Sequence, residues 1–485
     1  MYVHLDRAGG HTGGYDEFVA DVTEAAARAM ARPELKGEVP VAVLCDNARD
    51  ADLIPSSMND FARYGGIYRP VSLHYVPAIS VERLHIAGVV QPGRPAKVSV
   101  RARLYNPGAL RVDVQILVRI FSPAGSLVRT FPSRMPAWDG ERELAVVDVP
   151  VPELWSPSKP SLYRCEVVLT SAHGSTTLSE RFGIRYFEFL AHGPFKLNGE
   201  RLMLRGTQRE EDHAGLGAAM PEDLIRAEMK LIKEMGANFI RLGHYQQSRT
   251  VLDLCDELGL LVWEEIPWGR GGLGGERYQR QTMDMLHSMI DQHFNHPSII
   301  LWGLGNESDQ PGDFPDYSKE KIAAFIRQLN DQAHALDPGR KTALRRCDFA
   351  SQIADVYSPS IWAGWYHGPY TGYRESLRRE MAKVERFLHM EWGADSHARR
   401  HSEDTDRFLA KVVAGDTSDP HGIDFLLACG QENPSVTGDW SENYAAICST
   451  GTSKNSRTCP IWPVPPSGYS RILQRRCALK TRCRK

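Results

Sequence analysis

Residues 238–267 read "NFIRLGHYQQSRTVLDLCDELGLLVWEEIP", and the period of the apolar residues changes twice within them. "NFIRLGHY" and "LLVWEEIP" are short, nearly continuous apolar runs that end in Arg, His and Glu. Between them, "SRTVLDLCDELG" spaces its apolar residues for a helix and stops at Gly259. A strand that is apolar on both faces must be covered on both faces, which is the pattern of parallel βα units. The alternation continues in both directions. Upstream, "LMLRGTQ" precedes "PEDLIRAEMKLIKEMG", where Leu224, Ile225, Met229 and Ile232 share one helical face. Downstream, "IILWGLGNES" precedes "KEKIAAFIRQLNDQAHAL", and "KTALRRCDF", "VYSPSIWAG" and "FLHMEWGA" bring the strand candidates to seven. The predicted fold is a (β/α)8 TIM barrel over residues 189–447, with its eighth strand missing from the readable pattern.

Ahead of the barrel the pattern is β. Runs such as "AKVSVRARLY", "VDVQILVRIF" and "LYRCEVVLTS" alternate with period two between Pro, Gly and Asn turns, and predict two successive β-sandwich units divided near "AISVERLHIAG". Within 485 residues, 42% hydrophobic and 24% charged content is that of a globular chain. Nine of its Lys+Arg and none of its Asp+Glu lie in residues 448–485, so the body is distinctly acidic and a nucleic-acid partner is not expected. No apolar run is long enough to cross a membrane, and "MYVHLDRAGGHTGGYDEF" has no signal-peptide pattern. The compartment stays open. The cysteines outside the tail are scattered, which suggests neither disulfides nor a zinc site.

Barrel chemistry sits at the C-terminal ends of strands. Reading each candidate to its end gives Arg205, Arg241 with His244, Glu264 with Glu265, Asn306 with Glu307, Trp362, and Glu391. Two carboxylates across a barrel mouth suit glycoside cleavage, one as acid and one as anion, and aromatic side chains suit sugar faces. Each residue alone has a plainer reading, since strand-end carboxylates and arginines often pair for structure. Their joint occurrence at four strand ends favours the site.

These residues carry a resemblance. "NHPSIILWGLGNESD" resembles the acid/base signature of glycoside hydrolase family 2, which includes β-galactosidases, β-glucuronidases and β-mannosidases. "FKLNGERLMLRGTQREEDHAG", the opening stretch and "LHMEWGADS" are similar to its other barrel segments in the same order. "NDFARYGGIYRPVSL" resembles the end of that family's jelly roll, and "LWSPSKPSLY" with "RFGIR" the end of its immunoglobulin-like domain. The resemblance implies a multidomain chain: a partial jelly-roll sugar-binding domain at 1–80, an immunoglobulin-like β-sandwich at 81–188, the barrel at 189–447 and a tail at 448–485. It implies Glu307 as general acid/base, Asn306 as reader of the sugar 2-hydroxyl and Glu391 as nucleophile. Arg241 would keep Glu391 ionised, and His244 and Asp60 would contact the sugar, with Trp362, Trp365 and Tyr366 as further candidates in and beside "AGWYHG". The expected activity is that of a retaining exo-β-glycosidase, β-galactosidase first and β-glucuronidase second, with the two carboxyls about 5 Å apart.

Two departures stand out. Glu210 in "RGTQREEDH" occupies a position where the family often has His, and "EEIPWGRGG" lacks the ligands of the metal site found in some β-galactosidases. No metal and no cofactor is therefore expected; His397 and His401 have helical spacing but no third ligand. A carbohydrate is the expected partner, and a homo-oligomer remains open. After "GDWSENYAA" the chain turns basic and Cys-rich. Back-translated with freely chosen third bases and read one base earlier, Ile447 to Thr452 can give Asp-Leu-Phe-Asp-Trp-Tyr, and that frame can continue through helix-like and strand-like runs. The expectation is a frameshifted tail replacing the strand that closes the barrel, with leading jelly-roll strands missing before "HTGGYDEF". A contrasting expectation follows: a catalytically inactive fragment with at most residual carbohydrate binding.

Overall fold

The protein is described by a computed structural model over residues 1–91, 93–363 and 372–392. Its N-terminal segment pairs β1 (Tyr2–Val3), β2 (Asp6–Arg7) and β3 (Val41–Ala42) in the order β2-β1-β3, with α1 (Thr23–Met30) alongside. These strands are two residues long, so the first expected sandwich unit is present here as short pairings and loops laid against the barrel. Tyr15, Ile54 and Phe61 from this segment join the hydrophobic cluster of the barrel. That docking brings Asp60 to the mouth.

Seven antiparallel strands follow: β4 (Ser80–Val89), β5 (Ala96–Tyr105), β6 (Asp113–Phe121), β7 (Leu127–Pro136), β8 (Glu141–Val149), β9 (Tyr163–Ser171) and β10 (Gly174–Phe182). They form two sheets, β4-β5-β8 and β10-β9-β6-β7. Period-two alternation sends Ala96, Val98, Val100 and Ala102 inward to meet Val114, Ile116, Val118 and Ile120 from the facing sheet. The sandwich is fastened to the bottom of the barrel through polar groups satisfied across the junction. The buried Trp155 indole donates to the Asp256 carbonyl at 3.0 Å, and Arg185 Nη2 donates to the Ile299 carbonyl at 2.5 Å. A small sheet of β11 (Phe187–Phe189), β12 (Phe195–Leu197) and β13 (Glu200–Arg201) leads into the barrel.

The barrel elements are β14 (Gly206–Arg209), α2 (Glu222–Glu234), β15 (Phe239–Leu242), α3 (Arg249–Leu258), β16 (Leu261–Glu265), α4 (Glu276–His293), β17 (Ile299–Asn306), α5 (Lys319–Leu336), β18 (Lys341–Arg345), β19 (Val356–Ser358) and α6 (Tyr373–Met381). The six strands pair in parallel and in sequence order. Every residue of β15, β16 and β17 is buried, as strands covered on both faces must be. The seventh candidate runs beside β19: Leu388 N donates to the Tyr357 carbonyl and Tyr357 N to the Arg386 carbonyl, each at 3.0 Å. The segment where an eighth strand would close the barrel, and the basic tail, lie outside the described residues. Helix α2 buries Ile225, Met229 and Ile232 as predicted, with Leu224 at the edge of the same face. Gly259 ends α3 in the left-handed region at φ 67°.

Two readings of strand ends need correction. The strand expected to finish at Arg205 begins after it, so Arg209 and Gln208, not Arg205, reach the C-terminal rim. Glu264 faces the helices, where His293 Nδ1 lies 2.8 Å from its carboxylate. Its neighbour Glu265 points into the barrel, because adjacent strand residues face opposite ways.

Candidate active site

Arg241 at the end of β15 is completely enclosed, and its guanidinium organises the inner half of the mouth. It donates from Nε and Nη2 to Glu265 at 3.1 and 2.7 Å. The same guanidinium donates to Gln208 at 3.0 Å, to Asn306 at 2.8 Å and to Glu391 at 3.1 Å. A planar fork with five donors can serve four acceptors at once, as an ammonium could not. Glu265 also accepts from the Trp263 indole at 2.7 Å. Burial alone would push the Glu265 carboxyl up; Arg241, with His244, outweighs it and holds the group down at about 2. His244 Nδ1 lies 2.7 Å from Glu265. A carboxylate can only accept, so the proton is on Nδ1, and Nε2 accepts from the Gln208 amide at 3.2 Å.

Strand β17 places Asn306 and Glu307. Its pairing with β18 is interrupted between Gly303 and Asn306, and such an irregularity re-aims the side chains that follow. Glu307 has φ 58°, in the left-handed region, and Arg346 just past β18 has φ 43°. Two non-glycine residues held this way at neighbouring strand ends are the kind of backbone strain that functional sites retain. Gly303 is obligatory for the approach of β16 to β17, since a Cβ there would lie 2.3 Å from Glu265 Cβ.

Glu307 is buried and meets three guanidiniums. Arg345 Nη1 lies 2.7 Å away and Arg346 Nη1 3.1 Å away, while Arg270 Nε donates to its second oxygen. Burial would raise the Glu307 carboxyl, yet Arg345, Arg270 and Arg346 together hold it well below the usual carboxylate range. Arg345, fully enclosed, also brings Nε to 2.9 Å from Glu391, so one guanidinium bridges the two carboxylates. Arg270 reaches outward to Asp60 at 3.0 Å, and Asp60 is exposed at the mouth. Arg346 lies over the Trp362 ring, 4.8 Å from its centroid. Gln208 further donates to Glu210 at 3.3 Å, placing that departure from the family pattern at the rim.

The structure thus gathers Arg241, His244, Asn306, Glu307, Glu391, Asp60 and Trp362 around one mouth. Trp365, Tyr366, His397 and His401 lie outside the described residues. Gln208, Arg270, Arg345 and Arg346 were missed in the sequence. The signal for two of them was the "RR" that interrupts "KTALRRCDF", a charged pair at the end of a buried strand. Among the described residues, Asp253, Asp256 and His296 come close enough to share an ion. Asp256 instead accepts from Ser298 N and pairs with His296, and Asp253 pairs with Arg181, on the side of the barrel that faces the sandwich.

Comparisons with known proteins bear on this arrangement. Residues 190–408 match the family model described as glycosyl hydrolases family 2, TIM barrel domain, and residues 79–185 match a second model of glycosyl hydrolases family 2. A protein of Formosa agariphila, provisionally named a β-glucuronidase, is 39% identical over 92% of the chain and 52% of its own length. A β-galactosidase of Thermoanaerobacterium thermosulfurigenes is 30% identical over 74% of the chain and 48% of its own length. The crystal structure of a Parabacteroides merdae β-glucuronidase superposes with a TM-score of 0.89 at 46% identity, covering 95% of this chain and 58% of that one. The chain spans about half the length of the curated relatives it matches.

Proposed function

The chain belongs to glycoside hydrolase family 2, and from that premise we propose that it carries the catalytic centre of a retaining exo-β-glycosidase acting on β-glucuronides. The observation that carries this reading is the pair of carboxylates on different strand segments, Glu307 and Glu391, bridged by Arg345. In the proposed mechanism Glu391 attacks the anomeric carbon, forming a glycosyl ester as the leaving oxygen departs with a proton from Glu307. Glu307 then takes a proton from the water that cleaves the ester. Asn306, held by Arg241, faces the sugar beside the acid/base, and the two guanidiniums on Glu391 fix the direction of attack. The carbohydrate is the partner of this reading. The division at residues 80, 188 and 447 into jelly-roll, immunoglobulin-like, barrel and tail segments is part of the same proposal.

β-Galactoside was the first expectation from sequence. Glucuronide is favoured now by the names of two relatives, at 39% and 46% identity, and by the concentration of arginines at the mouth. The test is hydrolysis of 4-nitrophenyl β-glycosides by the full chain. Glucuronide should be cleaved in preference to galactoside and glucoside. Glu391→Ala should abolish turnover, and Glu307→Gln should lower kcat by roughly 10²–10⁴. Failure to cleave any β-glycoside would favour the inactive-fragment alternative.

A further inference from the structure

A general acid must carry a proton when substrate arrives, yet three guanidiniums hold Glu307 as an anion. Arg345 has a second duty, since it also contacts Glu391 and is fully enclosed. Arg270 and Arg346 differ from it. Their side chains are 15% and 24% exposed, and they approach Glu307 from outside the strands. Each has further partners: Arg270 pairs with Asp60 at 3.0 Å on the mouth side, and Arg346 with Asp309 at 3.5 Å and the Trp362 ring. Arg346 also occupies a left-handed backbone position that glycine would hold with less strain. Two partly open guanidiniums make a fork for a carboxylate.

We propose that Arg270 and Arg346 form a receptor for a carboxylate of the glycoside, and that Glu307 fills this receptor while the site is empty. The proposal rests on the glycosidase reading above. An incoming carboxylate takes over the two guanidiniums, and Glu307, relieved of two positive neighbours, binds a proton from solvent and becomes the acid. A neutral glycoside has no group that could make this exchange. Substrate charge is thereby coupled to arming of the acid, and the preference for acidic glycosides is built into the acid/base residue.

The test is calorimetric binding to the full chain of phenyl β-D-glucuronide, 4-carboxyphenyl β-D-glucoside and neutral phenyl β-D-glucoside. If Glu307 competes for the receptor, Glu307→Gln raises affinity for one of the carboxylates by roughly tenfold and leaves the neutral glycoside nearly unchanged. Adding Arg346→Gln or Arg270→Gln removes the gain. Which carboxylate gains tells whether the receptor reads the sugar ring or the leaving group. An equal effect on neutral and anionic ligands, or no gain for either carboxylate, overturns the proposal. Should Glu307→Gln fail to fold, the single Arg270→Gln and Arg346→Gln chains decide: each should cut the anionic-to-neutral affinity ratio about fivefold or more, and an unchanged ratio refutes it. Anion-selective binding without hydrolysis of any β-glycoside would remove the glycosidase reading and leave the receptor standing; hydrolysis without charge preference would do the reverse.

Discussion

Glu265 and Arg241 are both sealed from solvent and bonded through two parallel contacts. Removing the Glu265 charge leaves the enclosed Arg241 with only the partly exposed Glu391 as counter-charge, so Glu265→Gln should lower stability at pH 7 by about 3 kcal/mol. The carboxyl is held at about 2 in the fold, against roughly 4.3 in an unfolded chain. Its contribution is therefore present above that unfolded value and is lost as pH falls from there towards 2. Denaturant unfolding should show a wide gap between parent and Glu265→Gln at pH 7 that narrows below about pH 4; a constant gap would refute the assignment. At this scale the gathering of Glu307, Glu391, Asn306 and Arg241 at one mouth was legible in the sequence, because their neighbours form recognisable strand-end patterns. Arg270 was not legible, since it lies in the Gly-rich loop after β16 and meets Glu307 only through the fold.

Strands β16 and β17 are pressed together at Gly303, where a Cβ would meet Glu265 Cβ at 2.3 Å and Trp263 Nε1 at 2.5 Å. Overpacking of this kind typically costs about 1–3 kcal/mol. Gly303→Ala should therefore lower Tm and also displace Glu265, so that activity falls by more than the loss of folded protein explains. Equal activity per folded molecule would argue against the coupling. The parallel βα order was legible from apolar runs alone, since strands covered on both sides have no polar face to disguise them. Strand limits were less legible. "LMLRGTQ" was read to Arg205, but ladder pairing starts at Gly206 opposite Phe239 and runs to Arg209. The sequence gives no local mark of where a partner strand begins to pair.

The whole molecule joins a sandwich to a barrel through the buried Trp155 and through ion pairs such as Arg181 with Asp253 and Arg103 with Asp291. Trp155→Ala should destabilise the chain by about 3–5 kcal/mol and separate the unfolding of the sandwich from that of the barrel in calorimetry. No change in the thermogram would mean the two units unfold independently of this contact. The docking of Asp60 was legible only through family resemblance, because its position depends on Ile54 and Phe61 packing into the barrel cluster far along the chain. As the nucleophile of the proposed retaining glycosidase, Glu391 should be trapped as a glycosyl ester by a substrate whose second step is slow. The decisive measurement is incubation of the full chain with a 2-deoxy-2-fluoro-β-D-glucuronyl fluoride, followed by mass spectrometry of the intact protein and its peptides. One glycosyl adduct on the peptide containing Glu391, absent in Glu391→Ala, is the predicted result. No adduct, or an adduct on Glu307 or Glu265, would contradict it.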